Sequence, residues 1–139
     1  MIDGQTGVEG TYLECSLQAA LRLCDFDFLR GVKIEKFPNG RDRDTIERVK
    51  FLIHKYDFVQ AGFMIDTSWY LCNNQDYVLR KGGPNCGGHA VNLVGYDGTG
   101  VYVQNQWGTS WGSKGFAIMP WDVFLEELLY GAYLAGIKY

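Results

Sequence analysis

Two residues of this 139-residue chain stand out as a pair: His89 and Asn105. His89 is one of only two histidines, and it opens the run His89-Ala90-Val91-Asn92-Leu93-Val94. Asn105 closes the run Val101-Tyr102-Val103-Gln104. Between the two runs, Asp97-Gly98-Thr99-Gly100 has the composition of a tight turn. If the chain reverses there, the runs pair as a hairpin, and His89 and Asn105 meet at one end of it. An asparagine amide beside an imidazole fixes the ring's tautomer and orientation. The base of a nucleophile–base–orienter arrangement needs that support. By themselves the two residues read as structural, a hydrogen-bonded strand histidine and a turn asparagine.

The candidate nucleophiles are four cysteines: Cys15, Cys24, Cys72 and Cys86. None forms a CxxC pair, so their spacing is not that of a thiolate zinc site. Three disulfide pairings are open to four cysteines, and a fully reduced set is equally compatible with the sequence. Cys15 falls in the first turn of a predicted helix, where helix-terminal N–H groups stabilise a thiolate. A cysteine buried on the Leu-rich face of that helix is the alternative reading of the same residue. Cys24 sits at the far end of the helix, where the dipole disfavours a thiolate. Cys72 lies in predicted loop. Cys86 is three residues from His89, too close along one strand to approach a substrate from the opposite side.

These residues have to be positioned by regular elements. Thr11 and Glu14 have the spacing of a capping box, and Leu13, Leu17, Ala20, Leu21 and Cys24 share one helical face over residues 11–24. A strand is predicted at 31–37. The next helix, over 41–56, can be capped by Asp42 or Asp44, with Ile46, Val49, Phe51, Leu52 and Ile53 on its apolar side. A strand follows at 58–66, then a long loop with a helical turn near Trp69. Three strands are predicted at 89–97, 100–107 and 115–120. A short helix or turn at 121–130 and a closing strand at 131–139 complete the chain. Asp66 reads as a turn residue, His54 as solvated surface, and the tyrosines of 130–139 as packing. One helix followed mostly by strands makes the expected fold α+β, with an antiparallel sheet or barrel.

Bulk properties narrow the function classes. Hydrophobic residues make up 47% of the chain and aromatic residues 15%, which is the composition of a folded domain with a core. The net charge of −3, without any run of Lys or Arg, argues against a nucleic-acid partner. No apolar run approaches the ~18 residues that span a bilayer, so no membrane role is expected. The opening residues lack the basic and apolar regions of a signal peptide.

The motif around the pair is more specific than the pair. Residues 87–116, "GGHAVNLVGYDGTGVYVQNQWGTSWGSKGF", closely resemble the histidine and asparagine segment of papain-like cysteine peptidases. The matched positions are His89-Ala90-Val91, Val94-Gly95-Tyr96, Asn105-Gln106-Trp107-Gly108, Trp111-Gly112 and Gly115-Phe116, in order and at the family's spacing. Gln106 departs from it, standing where the family has serine. The resemblance extends more weakly over 32–139, the right-hand, barrel-like half of a papain fold, and leaves 1–31 as a loop and helix that could be a remnant of the left-hand half. The whole is expected to form a single domain. The resemblance implies that His89 is the catalytic base, Asn105 its orienter, Trp107 the ring that shields their hydrogen bond, and Trp111 a wall on the leaving-group side.

On the nucleophile side the resemblance fails. The family's C-G-[SA]-C-[WY] signature is absent, and only 88 residues precede His89 where the family has roughly 130–150 between cysteine and histidine. Cys15 is the cysteine best placed to be the nucleophile. Gln5 could be an oxyanion donor, as the family uses a glutamine ahead of its cysteine, although ten positions is a longer gap than the family's. In the family, a cysteine near the place of Cys86 tends to be in a disulfide, but the usual partner near the C-terminus is missing. Two functions follow. One is a compact papain-like cysteine peptidase, or a related thiol acyl-transfer enzyme acting on amide bonds of a peptide or protein substrate. The other is a non-catalytic module that binds a protein partner, or that needs a second chain to supply the nucleophile. No cofactor and no metal are expected in either.

Overall fold

The computed structural model describes residues 33–135. These form strand β1 (Lys33–Pro38), helix α1 (Arg43–Tyr56), β2 (Val59–Asp66), a 3-10 helix (Thr67–Leu71), β3 (Asn85–Tyr96), β4 (Gly100–Gln104), β5 (Phe116–Pro120), α2 (Trp121–Glu127) and β6 (Leu128–Ala135). The strands build one antiparallel sheet in the order β1-β6-β2-β3-β4-β5. The architecture is α+β, as the order of elements predicts. The helix predicted at 11–24, with Cys15 and Cys24, lies outside the described residues, as does Gln5.

Helix α1 begins where Asp42 caps it: its Oδ1 accepts the Thr45 N–H at 3.1 Å and the Thr45 hydroxyl at 3.1 Å. It ends at Asp57, whose left-handed backbone (φ 73°) returns its N–H to the Ile53 carbonyl. Val49, Leu52 and Ile53 are buried against the sheet, but Phe51 is 59% exposed. The sequence pattern placed Phe51 on the apolar face; in the structure it lies outside, with the Lys55 ammonium over its ring.

The sheet's core side carries Val59, Ala61, Phe63, Val91, Leu93, Val101, Val103, Ala117 and Met119, packed with α1 and α2. Period-two alternation in β3 places His89 in the same buried row as Val91 and Leu93. The register sets His89 opposite Phe63 of β2. Strand β3 starts at Asn85, four residues earlier than the sequence suggested, because its first residues pair with the end of β2. Strand β4 stops at Gln104, so Asn105 lies just past the strand. The closing strand likewise begins at Leu128, ahead of the expected 131, and inserts between β1 and β2.

The segment 105–116 returns on itself beyond β4 and depends on glycine. Gly108, Gly112 and Gly115 all have positive φ. A Cβ at Gly112 (φ 58°) would run into the Phe116 carbonyl, so both the space and the dihedral require glycine there. Gly112 N–H in turn donates to the Cys72 carbonyl at 3.1 Å, tying this segment to the end of the 3-10 helix. Gly112→Ala is expected to destabilise the fold by about 1–3 kcal/mol, read as a lowered urea midpoint. An unchanged midpoint would show that the segment is not held in this conformation.

Candidate functional site

The hairpin β3–β4 reverses through Asp97, whose Oδ1 accepts the N–H groups of Thr99 (2.8 Å) and Gly100 (3.1 Å). His89 and Asn105 therefore meet at the far end of the hairpin. His89 Nε2 lies 2.8 Å from Asn105 Oδ1, with His89 3% and Asn105 9% exposed. Asn105 Oδ1 also accepts the Gln106 backbone N–H at 2.9 Å. That second donor identifies Oδ1 as the acceptor, so Nε2 must carry the hydrogen. The ring is fixed as the tautomer that carries its hydrogen on Nε2.

Gln106, the residue that departs from the family motif, sends its side-chain amide to the Ala90 carbonyl at 2.9 Å, one residue past His89. It thus adds a second tie between the two ends of the hairpin. The Asn105 backbone N–H donates to the Gly115 carbonyl at 3.0 Å. Asn105 is held by its own strand end and by the glycine-rich segment.

Four aromatic rings enclose the pair. Trp107 packs on His89 with ring centroids 4.6 Å apart and planes at 31°. Behind both lies Trp69 of the 3-10 helix, wholly buried, with its ring 6.0 Å from His89, 6.3 Å from Trp107 and 6.0 Å from Trp111. The Trp111 indole N–H donates to the Trp69 carbonyl at 2.6 Å. Tyr70 stacks on Trp107 at 4.9 Å with planes only 8° apart. Water is therefore kept from the His89–Asn105 hydrogen bond, which gains strength in a low-dielectric setting.

Sequence reasoning singled out His89, Asn105, Trp107 and Trp111, and the structure brings these four together. It missed Trp69, Tyr70 and Glu127. Their approach to the site is set by the position of the 3-10 helix and α2, which no local pattern encodes. One signal was present: Asp66 and Ser68 have the spacing of a cap. Asp66 Oδ1 indeed accepts the Ser68 N–H (2.9 Å) and the Ser68 hydroxyl, and Oδ2 accepts the Gly82 N–H at 2.9 Å. This cap starts the helix that delivers Trp69.

Cys72 and Cys86 are both free thiols. Cys72 is buried at the end of the 3-10 helix, and burial, with Asp76 adding to it, pushes its thiol up to about 11. It is therefore a neutral residue at any physiological pH. Among the described residues, no group of three or more His, Cys, Asp and Glu is arranged to hold a metal ion. No helix among them is long and apolar enough to cross a membrane.

A family model for papain family cysteine proteases matches residues 29–124. This chain belongs to the papain family. A solved structure of similar fold is xylellain, a cysteine protease from Xylella fastidiosa, with a TM-score of 0.59 and 21% identity. The match covers 75% of this chain and 40% of xylellain, so the chain spans well under half of that protein. A search of curated proteins gives no match. The six-stranded sheet with its two packed helices is the sheet-bearing half of a papain-like fold.

One ionisable group next to this aromatic cluster is unusual. Glu127, 5% exposed, accepts the Trp69 indole N–H at 3.4 Å. Burial pushes its carboxyl up to about 7, with Asp66 and Glu126 adding to the rise and the Trp69 hydrogen bond and Lys81 opposing it. The unfolded carboxyl titrates near 4.5, so the folded state holds its proton longer. Glu127 thus favours folding most below pH 4.5, and that contribution is lost as pH rises to about 7. Glu127→Gln, which keeps an acceptor for Trp69 and cannot ionise, is expected to flatten this loss. Its thermal midpoint should match the wild type near pH 4 and exceed it at pH 8. Parallel midpoints across that range would contradict a buried, ionising Glu127.

Proposed function

We propose that this chain acts as a thiol-dependent amide hydrolase of the papain type, with Cys15 as nucleophile, His89 as base and Asn105 as orienter. The observation that carries the proposal is the 2.8 Å contact of His89 Nε2 with Asn105 Oδ1, buried beneath Trp107. It commits Nε2, which supports a reading in which Nδ1 handles the transferred proton. The Cys15 thiol proton passes to Nδ1, and the thiolate attacks the amide carbonyl carbon of a peptide or protein substrate. The tetrahedral oxyanion is met by the Cys15 backbone N–H and by Gln5. His89 returns the proton to the leaving nitrogen as the C–N bond breaks. Water, deprotonated by His89, then releases the acyl group and restores the thiol.

The match covers 40% of xylellain, and the residues described here form the sheet-bearing half of the fold. A substrate bound against one half of a cleft buries little area, and affinity suffers accordingly. Hydrolysis of generic peptides by the chain alone is therefore expected to be weak, and a specific protein substrate or a completing partner would raise it.

The test is alkylation followed by mass spectrometry. A thiolate paired with an imidazolium persists well below the ~8.5 of a free thiol. Iodoacetamide at pH 6 is expected to modify Cys15 first, and His89→Ala to remove that preference. Cys72, with its thiol raised to about 11, serves as the slow internal reference. Where hydrolysis is measurable, His89→Ala should lower it by a factor of at least about 100 and Asn105→Ala by less, because orientation contributes less than proton transfer. Uniformly slow labelling of all four cysteines would favour the second reading, a papain-like module that binds a partner or takes its nucleophile from another chain.

A further inference from the structure

Helix α2 ends in two glutamates with different surroundings. Glu126 is exposed and pairs with the Lys81 ammonium. Glu127 is 5% exposed, and its Oε1 accepts the Trp69 indole N–H at 3.4 Å. A carboxyl buried with one long hydrogen bond is unfavourable where a leucine could pack. The proposed mechanism makes no use of it. Trp69 links it to the site. That ring is wholly buried and meets His89 at 6.0 Å with planes at 84°. It also stacks on Trp111, and its carbonyl takes the Trp111 indole N–H at 2.6 Å. The indole N–H is the only polar group on the Trp69 side chain. Its bond to Glu127 therefore selects one ring orientation among those the apolar neighbours would accept.

Glu127 also borders a cavity of about 240 Å³, with Asp66, Lys81, Asn85 and Glu126 among its walls. A polar space of that size has room for water. Three charged groups face Glu127: Asp66 at the end of β2, Lys81 in the segment before β3, and Glu126 on its own helix. Asp66 is committed to Ser68 and Gly82, and Lys81 to Glu126. A charge on Glu127 thus meets two like charges and one shared cation. Burial first, then Asp66 and Glu126, push its carboxyl up to about 7, against the Trp69 hydrogen bond and Lys81. The neutral acid is compatible with the closed packing. The carboxylate gains by turning to the cavity, where water and Lys81 can solvate it, and a 3.4 Å hydrogen bond is too weak to hold it back.

We propose that Glu127 is a positioning residue for His89: its neutral carboxyl keeps the Trp69 indole seated against the imidazole, and its ionisation into the cavity releases that indole. The effect reaches the site because Trp69, Trp107 and His89 are in mutual ring contact. Once Trp69 loses its acceptor, water gains access to the His89–Asn105 hydrogen bond, and the ring's orientation loosens. The site is therefore best ordered on the acid side of about pH 7. Its importance for catalysis rests on the reading of His89 as the base; the coupling of Glu127 to His89 does not.

The test follows ring N–H signals of the ¹⁵N-labelled chain from pH 5 to pH 8.5 and needs no turnover. The Trp69 indole signal is expected to move with a midpoint at about 7, and the His89 Nε2–H signal to be lost to solvent exchange over the same range. Glu127→Gln keeps an acceptor for Trp69 and cannot ionise. In that variant the Trp69 signal should not move, and the His89 signal should survive to a higher pH. In His89→Ala the Trp69 step should persist. Lys81→Met, a change at an exposed side chain, removes the one cation facing Glu127 and should shift the Trp69 midpoint upward. A Trp69 step that survives Glu127→Gln, or that vanishes in His89→Ala, belongs to another group and would overturn the proposal. So would a His89 signal lost at the same pH with and without Glu127. Hydrolysis that survives His89→Ala would sink the base reading and not the coupling, which the wild-type and Glu127→Gln signals decide.

Discussion

A histidine in the buried row of a core strand is tolerable only if its polar atoms find partners without water, and Asn105 provides one for Nε2. The contact joins the start of the inward row of β3 to the residue just past β4, so it depends on the hairpin register. A slip of one residue would turn His89 to the other face of the sheet. The Asp97 turn, the inward alternation of Val91 and Leu93, and the glycine-rich return after Gln106 all serve that single geometry. Asn105 Oδ1 accepts two donors at once, the imidazole and the Gln106 N–H, which leaves the amide little freedom to flip.

Trp69 carries the same constraint into the rest of the core. Its indole touches Phe63 and His89 and stacks with Trp111, while its carbonyl holds the Trp111 N–H and its own N–H reaches Glu127. Three segments far apart in the chain are therefore fixed to one ring: the 3-10 helix, the return after Asn105, and the end of α2. The aromatic enclosure of His89 is thus continuous with the hydrophobic core.

What the sequence disclosed follows from the range of each interaction. The β3–β4 hairpin is local, signalled by a turn and by period-two alternation, and it was legible at its turn, although β3 begins four residues earlier and β4 ends three residues sooner than the pattern suggested. Helix α1 was legible through its Asp42 cap, although Phe51 was assigned to the wrong face because the helix buries a narrower stripe than its apolar residues span. The insertion of β6 between β1 and β2 was not legible, since pairing between strands nearly a chain length apart leaves no local mark. Trp69, Tyr70 and Glu127 were missed for the same reason. Trp107 and Trp111 were found because the family motif includes them.

The neutral orienter has an electrostatic consequence for the proposed mechanism. A carboxylate in the place of Asn105 would stabilise an imidazolium whatever else was nearby. An amide holds the ring in position and adds no net charge, so the protonated state of His89 must be stabilised by the group that gave up the proton. In the proposed mechanism that group is the Cys15 thiolate, and the charged pair exists only when both are in place. The surroundings agree with this division. Glu127 is a buried carboxyl that touches the same aromatic cluster through Trp69, and its own burial favours the neutral acid up to about pH 7. The Asn105 amide therefore orients the ring without adding a charge of its own, and in the proposed mechanism the counter-charge to an imidazolium is the thiolate.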